Sequence, residues 1–220
     1  MTSSLVLYSN RQHSSPYVLS AYAALVEKNL PFELKTIDLR AGEQNAGDYT
    51  RLSLTSRVPT LVDGDFSLAE SSAIAEYLED TYPAPGHTAI YPADRQLRAR
   101  ARQIQAWVRS DLGDLREERS TSVIYGAKNP KPLGEKAQRA ANKLLGVADA
   151  LIDNDGNNLF GAWSIADVDL SVMLNRLVAN GDAVPAKIKK YVERQSSRPS
   201  IQNWWKLHTK SPMRRTLALR

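Results

Sequence analysis

The sequence predicts an α/β N-terminal half followed by an all-helical C-terminal half. Short apolar runs rich in β-prone residues occur before residue 70, where they alternate with helical patterns. Beyond that point the apolar residues recur at helical spacing. With 220 residues, of which 42% are hydrophobic, the chain is long enough to bury a sizeable core.

Charge and proline content place the division between the halves near residue 82. Residues 1–82 carry 6 Lys or Arg and 11 Asp or Glu, whereas residues 83–220 carry 23 and 13. Three prolines, Pro83, Pro85 and Pro92, lie close together directly after the division. We therefore predict an N-terminal domain over 1–82, a linker over 83–93 and an all-helical domain over 94–220.

Local patterns predict a strand, a helix and a second strand at the start of the chain. The apolar run Leu5–Tyr8 predicts a buried strand. Ser15 followed by Pro16 is typical of a helix start, because serine caps the helix and proline fits its first turn. That helix should end near residue 29, and the roughly alternating segment 32–38 predicts the second strand.

A hairpin and another helix complete the N-terminal half. Residues 39–56 are polar and irregular, with room for one helical turn. Asp63-Gly64 lies between two apolar runs and predicts a β-hairpin. Ser71 or Ser72 should cap the helix that follows. The order β-α-β and then β-β-α, with a parallel pair joined by a crossover, predicts a thioredoxin-like arrangement.

Four helices are predicted in the C-terminal half. They cover residues 94–119, residues 134–153, a segment from Ser164 to about Asn180, and a last segment from Pro199. Ser164 and Asp167 have the spacing of a capping box in which aspartate replaces the usual glutamate, so we assign them a structural role.

Cysteine is absent, and this excludes several kinds of chemistry. A redox CxxC pair, a thiolate nucleophile and a thiolate metal ligand all require it. The three histidines, His13, His87 and His208, are far apart in sequence, so we expect no metal site. The lack of cysteine also suits a reducing compartment.

Neither a membrane nor a nucleic acid is an expected partner. No apolar run approaches the roughly 18–20 residues of a membrane span, and the N-terminus lacks the basic region of a signal peptide. Basic side chains of the C-terminal half are interspersed with acidic ones, which favours a solvated surface or attraction of small anions over nucleic-acid binding. We expect a soluble cytoplasmic protein.

An ordered set of motifs runs along the chain: Ser15-Pro16-Tyr17, Arg57-Val58-Pro59-Thr60-Leu61, Leu68-Ala69-Glu70-Ser71-Ser72-Ala73-Ile74, Ser164-Ile165-Ala166-Asp167 and Arg198-Pro199-Ser200. These motifs resemble the glutathione S-transferase family, in particular a bacterial branch of its serine-type, theta- or zeta-like members. Together they span most of the chain in the order that the family has. The resemblance implies the glutathione S-transferase fold, with glutathione as cosubstrate.

The resemblance also implies a glutathione site in the N-terminal half. It implies that the Val58-Pro59 peptide bond is cis and that the Val58 backbone pairs with the cysteinyl part of glutathione. Glu70 would take the ammonium of the γ-glutamyl end and Ser71 its carboxylate. Arg57 would pair with the glycyl carboxylate.

Ser15 is the predicted catalytic residue because its hydroxyl would stabilise the glutathione thiolate. Lowering a thiol pKa of about 8.5–9 by about 2 units takes about 2.7 kcal/mol. A hydroxyl that donates to an anion supplies about 1.5–3 kcal/mol, and a helix N-terminus adds about 0.3–1 kcal/mol. Ser15 offers both at one point. Ser14 is the alternative in register, and Tyr8 is another because other family members keep a catalytic tyrosine near that position.

The predicted activity is conjugation of glutathione to small electrophiles, a detoxification reaction, together with glutathione-dependent peroxidase activity. We assign Tyr8, Trp107, Ser110 and Asp111 to the electrophile pocket. Two alternatives stay open: a non-catalytic binding module of the same fold, and an isomerase or dehalogenase that uses glutathione. The family also implies a homodimer.

Overall fold

A computed structural model describes residues 5–210, with the backbone alone for the last of them. These residues form two compact units, one of residues 5–90 with 199–210 and the other of residues 91–198. The last predicted helix therefore groups with the N-terminal unit, although the predicted domain boundaries assign it to 94–220. Those boundaries stay a prediction, and their ends at 1–4 and 211–220 lie outside the described residues.

The first unit contains a mixed four-stranded sheet. Its strands are β1 Leu5–Asn10, β2 Phe32–Ile37, β3 Thr60–Asp63 and β4 Phe66–Ala69, in the order β2-β1-β3-β4. Strands β1 and β2 are parallel, and the β1–β3 and β3–β4 pairs are antiparallel. The predicted crossover and hairpin are thus confirmed.

The described residues contain ten α-helices. They are α1 Pro16–Glu27, α2 Gly47–Leu52, α3 Ser71–Thr81, α4 Arg95–Ser110, α5 Gly113–Glu118, α6 Thr121–Ile124, α7 Glu135–Leu151, α8 Ile165–Asn180, α9 Ala186–Ser196 and α10 Pro199–Lys210. A 3₁₀ turn at Glu43–Asn45 precedes α2. The segments predicted as strands and as helices have those conformations in the structure, although several of their ends differ.

Some predicted helix ends are wrong. The helix expected over 94–119 is two helices, α4 and α5, because the backbone leaves helical geometry at Leu112 (φ −93°, ψ 36°). The cap of α3 is neither Ser71 nor Ser72 but Glu70, and Ser71 is already helical. The sequence analysis also missed α6 and α9.

The segment after α3 is fixed to the first unit by a buried lysine. Lys28, 1% exposed, forms an ion pair with Glu79 at 2.7 Å. Its Nζ also donates to the carbonyl oxygens of Tyr82 and Thr88, both at 2.9 Å. Since all the donors of a lysine are then used, the start of the predicted linker is held against α1 and α3.

In the second unit α8 is the central helix. It is buried along most of its length and contacts α4, α6, α7 and α9. Within residues 5–210 no helix is both long enough and apolar enough to cross a lipid bilayer.

Candidate glutathione site

Three predicted site segments meet at one edge of the sheet, namely the side where strands β1 and β4 end and strand β3 begins. Tyr8 in β1 pairs with Thr60 in β3, and Thr60 pairs with Ala69 in β4. Neighbouring strands lie about 4.8 Å apart, so the end of β1, the start of β3 and the end of β4 are adjacent. The loop before α1, the residues before β3 and the start of α3 therefore share this edge, and two helix N-termini face it.

The loop between β1 and α1 is held by a single buried side chain. Asn10 is 4% exposed, and its Oδ1 accepts from the backbone N–H groups of Ser14 (3.2 Å) and Ser15 (3.1 Å). Its Nδ2 donates to Ser14 Oγ at 2.8 Å and to Gln12 Oε1 at 3.2 Å. We call residues 10–15 the serine turn.

Ser15 caps α1 without using its own hydroxyl proton. Its Oγ accepts from the Val18 N–H at 3.3 Å, and the side chain is half-buried. Within the described part of the chain the hydroxyl proton has no acceptor, and the same holds for Ser14, whose oxygen accepts from Asn10. Both hydroxyls can donate to an anion, so the choice between Ser15 and Ser14 stays open at this level of geometry.

Helix α10 packs over the serine turn. His208 Nδ1 donates to the Gln12 carbonyl oxygen at 2.8 Å, and the rings of His13 and Trp204 meet edge to face at 5.6 Å. Burial lowers the pKa of His13 below its usual value, and repulsion from His208 lowers it further. Protonation of His13 is therefore disfavoured in the folded protein.

The second segment carries the predicted cis peptide bond. Val58–Pro59 is cis, as the resemblance implied. The two ladders of β3 begin at Thr60, so the Val58 backbone lies outside the sheet pairing. This leaves its N–H and C=O for a ligand that binds as a further extended strand.

Two residues that the sequence analysis missed support this segment. Tyr49, 5% exposed, donates from its hydroxyl to the Arg57 carbonyl oxygen at 2.7 Å. Ser53 Oγ donates to the same oxygen at 3.1 Å, and the Tyr8 ring packs edge to face on Tyr49. Tyr49 lies in the stretch predicted to be irregular, where no local pattern marked it.

The third segment is the start of α3. Glu70 is exposed and has φ 71°, a conformation that costs a non-glycine residue about 1–3 kcal/mol. Ser71 follows as the first helical residue and is 2% exposed. Of the four non-glycine residues with positive φ in the described chain, Glu70, His13 and Ser56 lie in or one or two residues before a predicted contact segment, and Asn29 does not. Such conformations cluster at ligand sites, which favours this edge as a binding site.

Comparison with known proteins identifies the family. The glutathione S-transferase N-terminal domain model matches residues 3–80, and the C-terminal domain model matches residues 94–210. The chain belongs to the glutathione S-transferase family. The family resemblance predicted from the motifs is therefore confirmed, and so is the fold of the N- and C-terminal halves.

Individual relatives agree with this family assignment. A glutathione transferase homolog from Burkholderia, solved with bound glutathione, is 48% identical with a TM-score of 0.79, covering 94% of this chain and 98% of that one. A diazinon-metabolizing glutathione S-transferase of the silkworm Bombyx mori is 27% identical, with a TM-score of 0.72 and coverage of 94% and 96%. Human glutathione S-transferase theta-2 is 32% identical over 130 residues, which are 57% of this chain and 52% of the human protein. The chain thus spans about half the length of the curated relatives it matches.

The predicted electrophile-pocket residues fall in both units. Tyr8 lies at the sheet edge, whereas Trp107, Ser110 and Asp111 lie in the second unit at the end of α4. Trp107 Nε1 donates to Asp111 at 2.7 Å, and Lys143 pairs with the same carboxylate. The bond from Lys143 and then that from Trp107 hold the Asp111 pKa below its usual range. Their part in electrophile binding stays a prediction.

The Arg57 side chain is exposed beside Val58, and its carbonyl oxygen accepts from the Tyr49 hydroxyl. Its predicted pairing with the glycyl carboxylate stays a prediction. Among residues 5–210 no group of three His, Asp or Glu side chains is arranged to hold a metal ion.

Proposed function

We propose that the chain is a glutathione transferase that conjugates the glutathione thiolate to small electrophiles. The observation that carries this proposal is the assembly of the serine turn, the Val58 backbone and Glu70-Ser71 at one sheet edge. The bound glutathione in the 48% identical Burkholderia structure supports it, because that protein matches this chain over nearly its whole length.

Different residues bind the γ-glutamyl end, the cysteinyl residue with its sulfur, and the glycyl end of glutathione. The exposed Glu70 takes the γ-glutamyl ammonium, and Ser71, at the N-terminus of α3, takes the carboxylate. The Val58 backbone pairs with the cysteinyl residue, and Arg57 pairs with the glycyl carboxylate. Ser15 then donates its uncommitted hydroxyl proton to the thiolate at the N-terminus of α1. The same thiolate would attack the terminal oxygen of an organic hydroperoxide and break its O–O bond, which releases the alcohol and leaves glutathione sulfenic acid. A second glutathione would then convert the sulfenic acid to glutathione disulfide and water.

We also propose that two copies form a homodimer. Two of the large apolar side chains that the described chain exposes, Leu54 (97%) and Phe66 (48%), lie in the first unit, and neither belongs to the glutathione site. The family resemblance implies a two-fold dimer, and these two side chains are candidates for its interface. Light scattering should give twice the mass of 24.4 kDa, and a monomeric mass would contradict the proposal.

The test of the function compares three thiols with one electrophile. Glu70, Ser71 and Val58 contact parts of glutathione that 2-mercaptoethanol lacks, so its kcat/KM should be far lower. γ-Glutamylcysteine lacks only the Arg57 partner and should keep most of the activity. Comparable kcat/KM values for all three thiols would show that no glutathione site exists, and the absence of any enzymatic rate with all three would favour the non-catalytic alternative.

A further inference from the structure

The serine turn has few backbone donors left for an anion. The N–H groups of Ser14 and Ser15 are bound by Asn10, and the Val18 N–H is bound by Ser15 Oγ. Pro16 has no N–H. Four of the five positions from 14 to 18 therefore offer no N–H to a sulfur anion. The serine hydroxyls must do what helix N–H groups do at an ordinary anion site.

Asn10 decides in which direction those hydroxyls donate. Because its Oδ1 accepts from two backbone N–H groups, its amide nitrogen is the atom that faces Ser14 Oγ and Gln12 Oε1. An Oγ that accepts from an amide has its own proton directed elsewhere. The Ser14 hydroxyl is thus oriented directly, and the Ser15 hydroxyl is placed through the backbone N–H that Asn10 holds.

We propose that Asn10 is a positioning residue for the thiolate site. It holds the serine turn so that the hydroxyl protons of Ser14 and Ser15 point away from the protein and toward the glutathione sulfur. It does not contact the sulfur itself. This inference rests on the proposed function, since it needs a thiolate bound at the turn.

Asn10→Asp separates positioning from support of the fold. Aspartate keeps an oxygen that accepts from the Ser14 and Ser15 N–H groups, so the backbone of the turn retains its partners. A carboxylate only accepts, however, so the Ser14 hydroxyl would turn its proton toward residue 10. Gln12→Glu is the matched control, because it adds the same charge within 3.2 Å of the Asn10 amide and still accepts from it.

The measurement is the thiolate absorbance of bound glutathione against pH. Asn10→Asp should raise the pKa of the bound thiol by about one unit more than Gln12→Glu does, which is a tenfold loss of thiolate near neutral pH. The value of kcat should fall with it, the glutathione Kd should rise by no more than the tenfold that this loss of thiolate binding accounts for, and the Tm should change little. Equal titration curves for the two variants would overturn the proposal.

Two further samples make the result unambiguous. Asn10→Ala adds no charge and should also raise the pKa of the bound thiol. Its Tm should be lower, because the N–H groups of Ser14 and Ser15 lose their acceptor. This variant replaces Asn10→Asp if Asn10→Asp does not fold. An Asn10→Ala protein that folds and keeps the wild-type titration would equally overturn the proposal. The wild-type protein tests the proposed function alone: a bound thiol pKa no lower than that of glutathione in solution would remove the thiolate site itself.

Discussion

Helices α1 and α8 both begin after a serine, and the serines at these two starts are in opposite hydrogen-bonding states. At the start of α1, Asn10 and Val18 donate to the oxygens of Ser14 and Ser15. At the start of α8, Ser164 is 1% exposed and its Oγ donates to Asp167 at 3.1 Å. Among the described residues the hydroxyls of Ser14 and Ser15 only accept hydrogen bonds. The Ser164 hydroxyl instead donates a hydrogen bond to Asp167.

The second start is a closed network. Asp167 is fully buried and accepts from the N–H groups of Leu159 (2.9 Å) and Ser164 (2.8 Å) as well as from the Tyr191 hydroxyl (3.0 Å). The predicted capping box is thereby confirmed. A buried and fully satisfied network stabilises the fold. The comparison suggests how the two kinds of serine differ. A serine whose hydroxyl already donates to a neighbour, such as Ser164, has a structural role. A serine whose oxygen only accepts, such as Ser15, can still donate to a ligand.

The largest effect is expected at the closed network. Asp167→Ala removes the acceptor of several buried donors, each of which costs about 1–3 kcal/mol when left unsatisfied, so the loss of stability should total about 3–5 kcal/mol. The measurement is the midpoint of thermal or urea unfolding. Asp167→Asn, which keeps one acceptor oxygen, should lose less. Wild-type stability of Asp167→Ala would contradict the structural role.

At the open serine the expected loss is in activity rather than in stability. Ser15→Ala should lower turnover about 10- to 1000-fold and raise the bound thiol pKa by about 1–2 units, because one hydrogen bond to an anion is lost. Its stability should fall by only about 0.5–2 kcal/mol, the usual cost of an N-cap.

Ser164→Ala and Ser14→Ala are the controls for this second prediction. Ser164→Ala removes a serine before the other helix and should leave the thiol titration unchanged. If Ser15→Ala titrates like the wild type and Ser14→Ala does not, the catalytic hydroxyl is that of Ser14, and an unchanged curve in both moves the assignment to Tyr8.

A structural feature could be predicted from the sequence where it depends on residues that are close together along the chain. The strands and α1 rest on short apolar runs and on Ser15-Pro16, which are local patterns, and the structure confirms them. The helix α9 was missed although its buried residues Ile188, Tyr191, Val192 and Gln195 have helical spacing. There the signal was present, but the charged residues between them obscured it.

The support of the site was not predictable in the same way. Asn10 and Tyr49 act through contacts that the fold creates, four or more residues away along the chain. No periodicity or cap signal marks such a residue, because a buried Asn or Tyr in a sequence is compatible with many partners. The proposed glutathione contacts are suggested by motifs, whereas the residues that support those segments become evident only from the conformation of the loops.

A third helix start, that of α3, should show its effect in affinity. Glu70→Ala and Ser71→Ala should each weaken glutathione binding about 10- to 150-fold, because loss of a charged partner costs about 1.5–3 kcal/mol. The γ-glutamyl end does not change during reaction, so KM should rise with kcat little altered. Isothermal titration measures the affinity, with Ser72→Ala as the control on the same helix. Wild-type affinity of both variants would remove the assigned site.

The smallest effect is expected in the pH dependence of stability, at His13 of the serine turn. The pKa of His13 is lowered by burial and then by His208, so the native state binds fewer protons than the unfolded chain at a pH below the unfolded value of about 6.5. The stability that a neutral His13 provides is therefore complete above about pH 6.5 and is lost as the pH falls toward the lower native pKa. His13→Asn removes this titration and suits the positive φ of 47° at that position. Urea unfolding between pH 5 and pH 7.5 should give a steeper loss of stability for the wild type than for His13→Asn, and parallel curves would show that protonation of His13 does not oppose the fold.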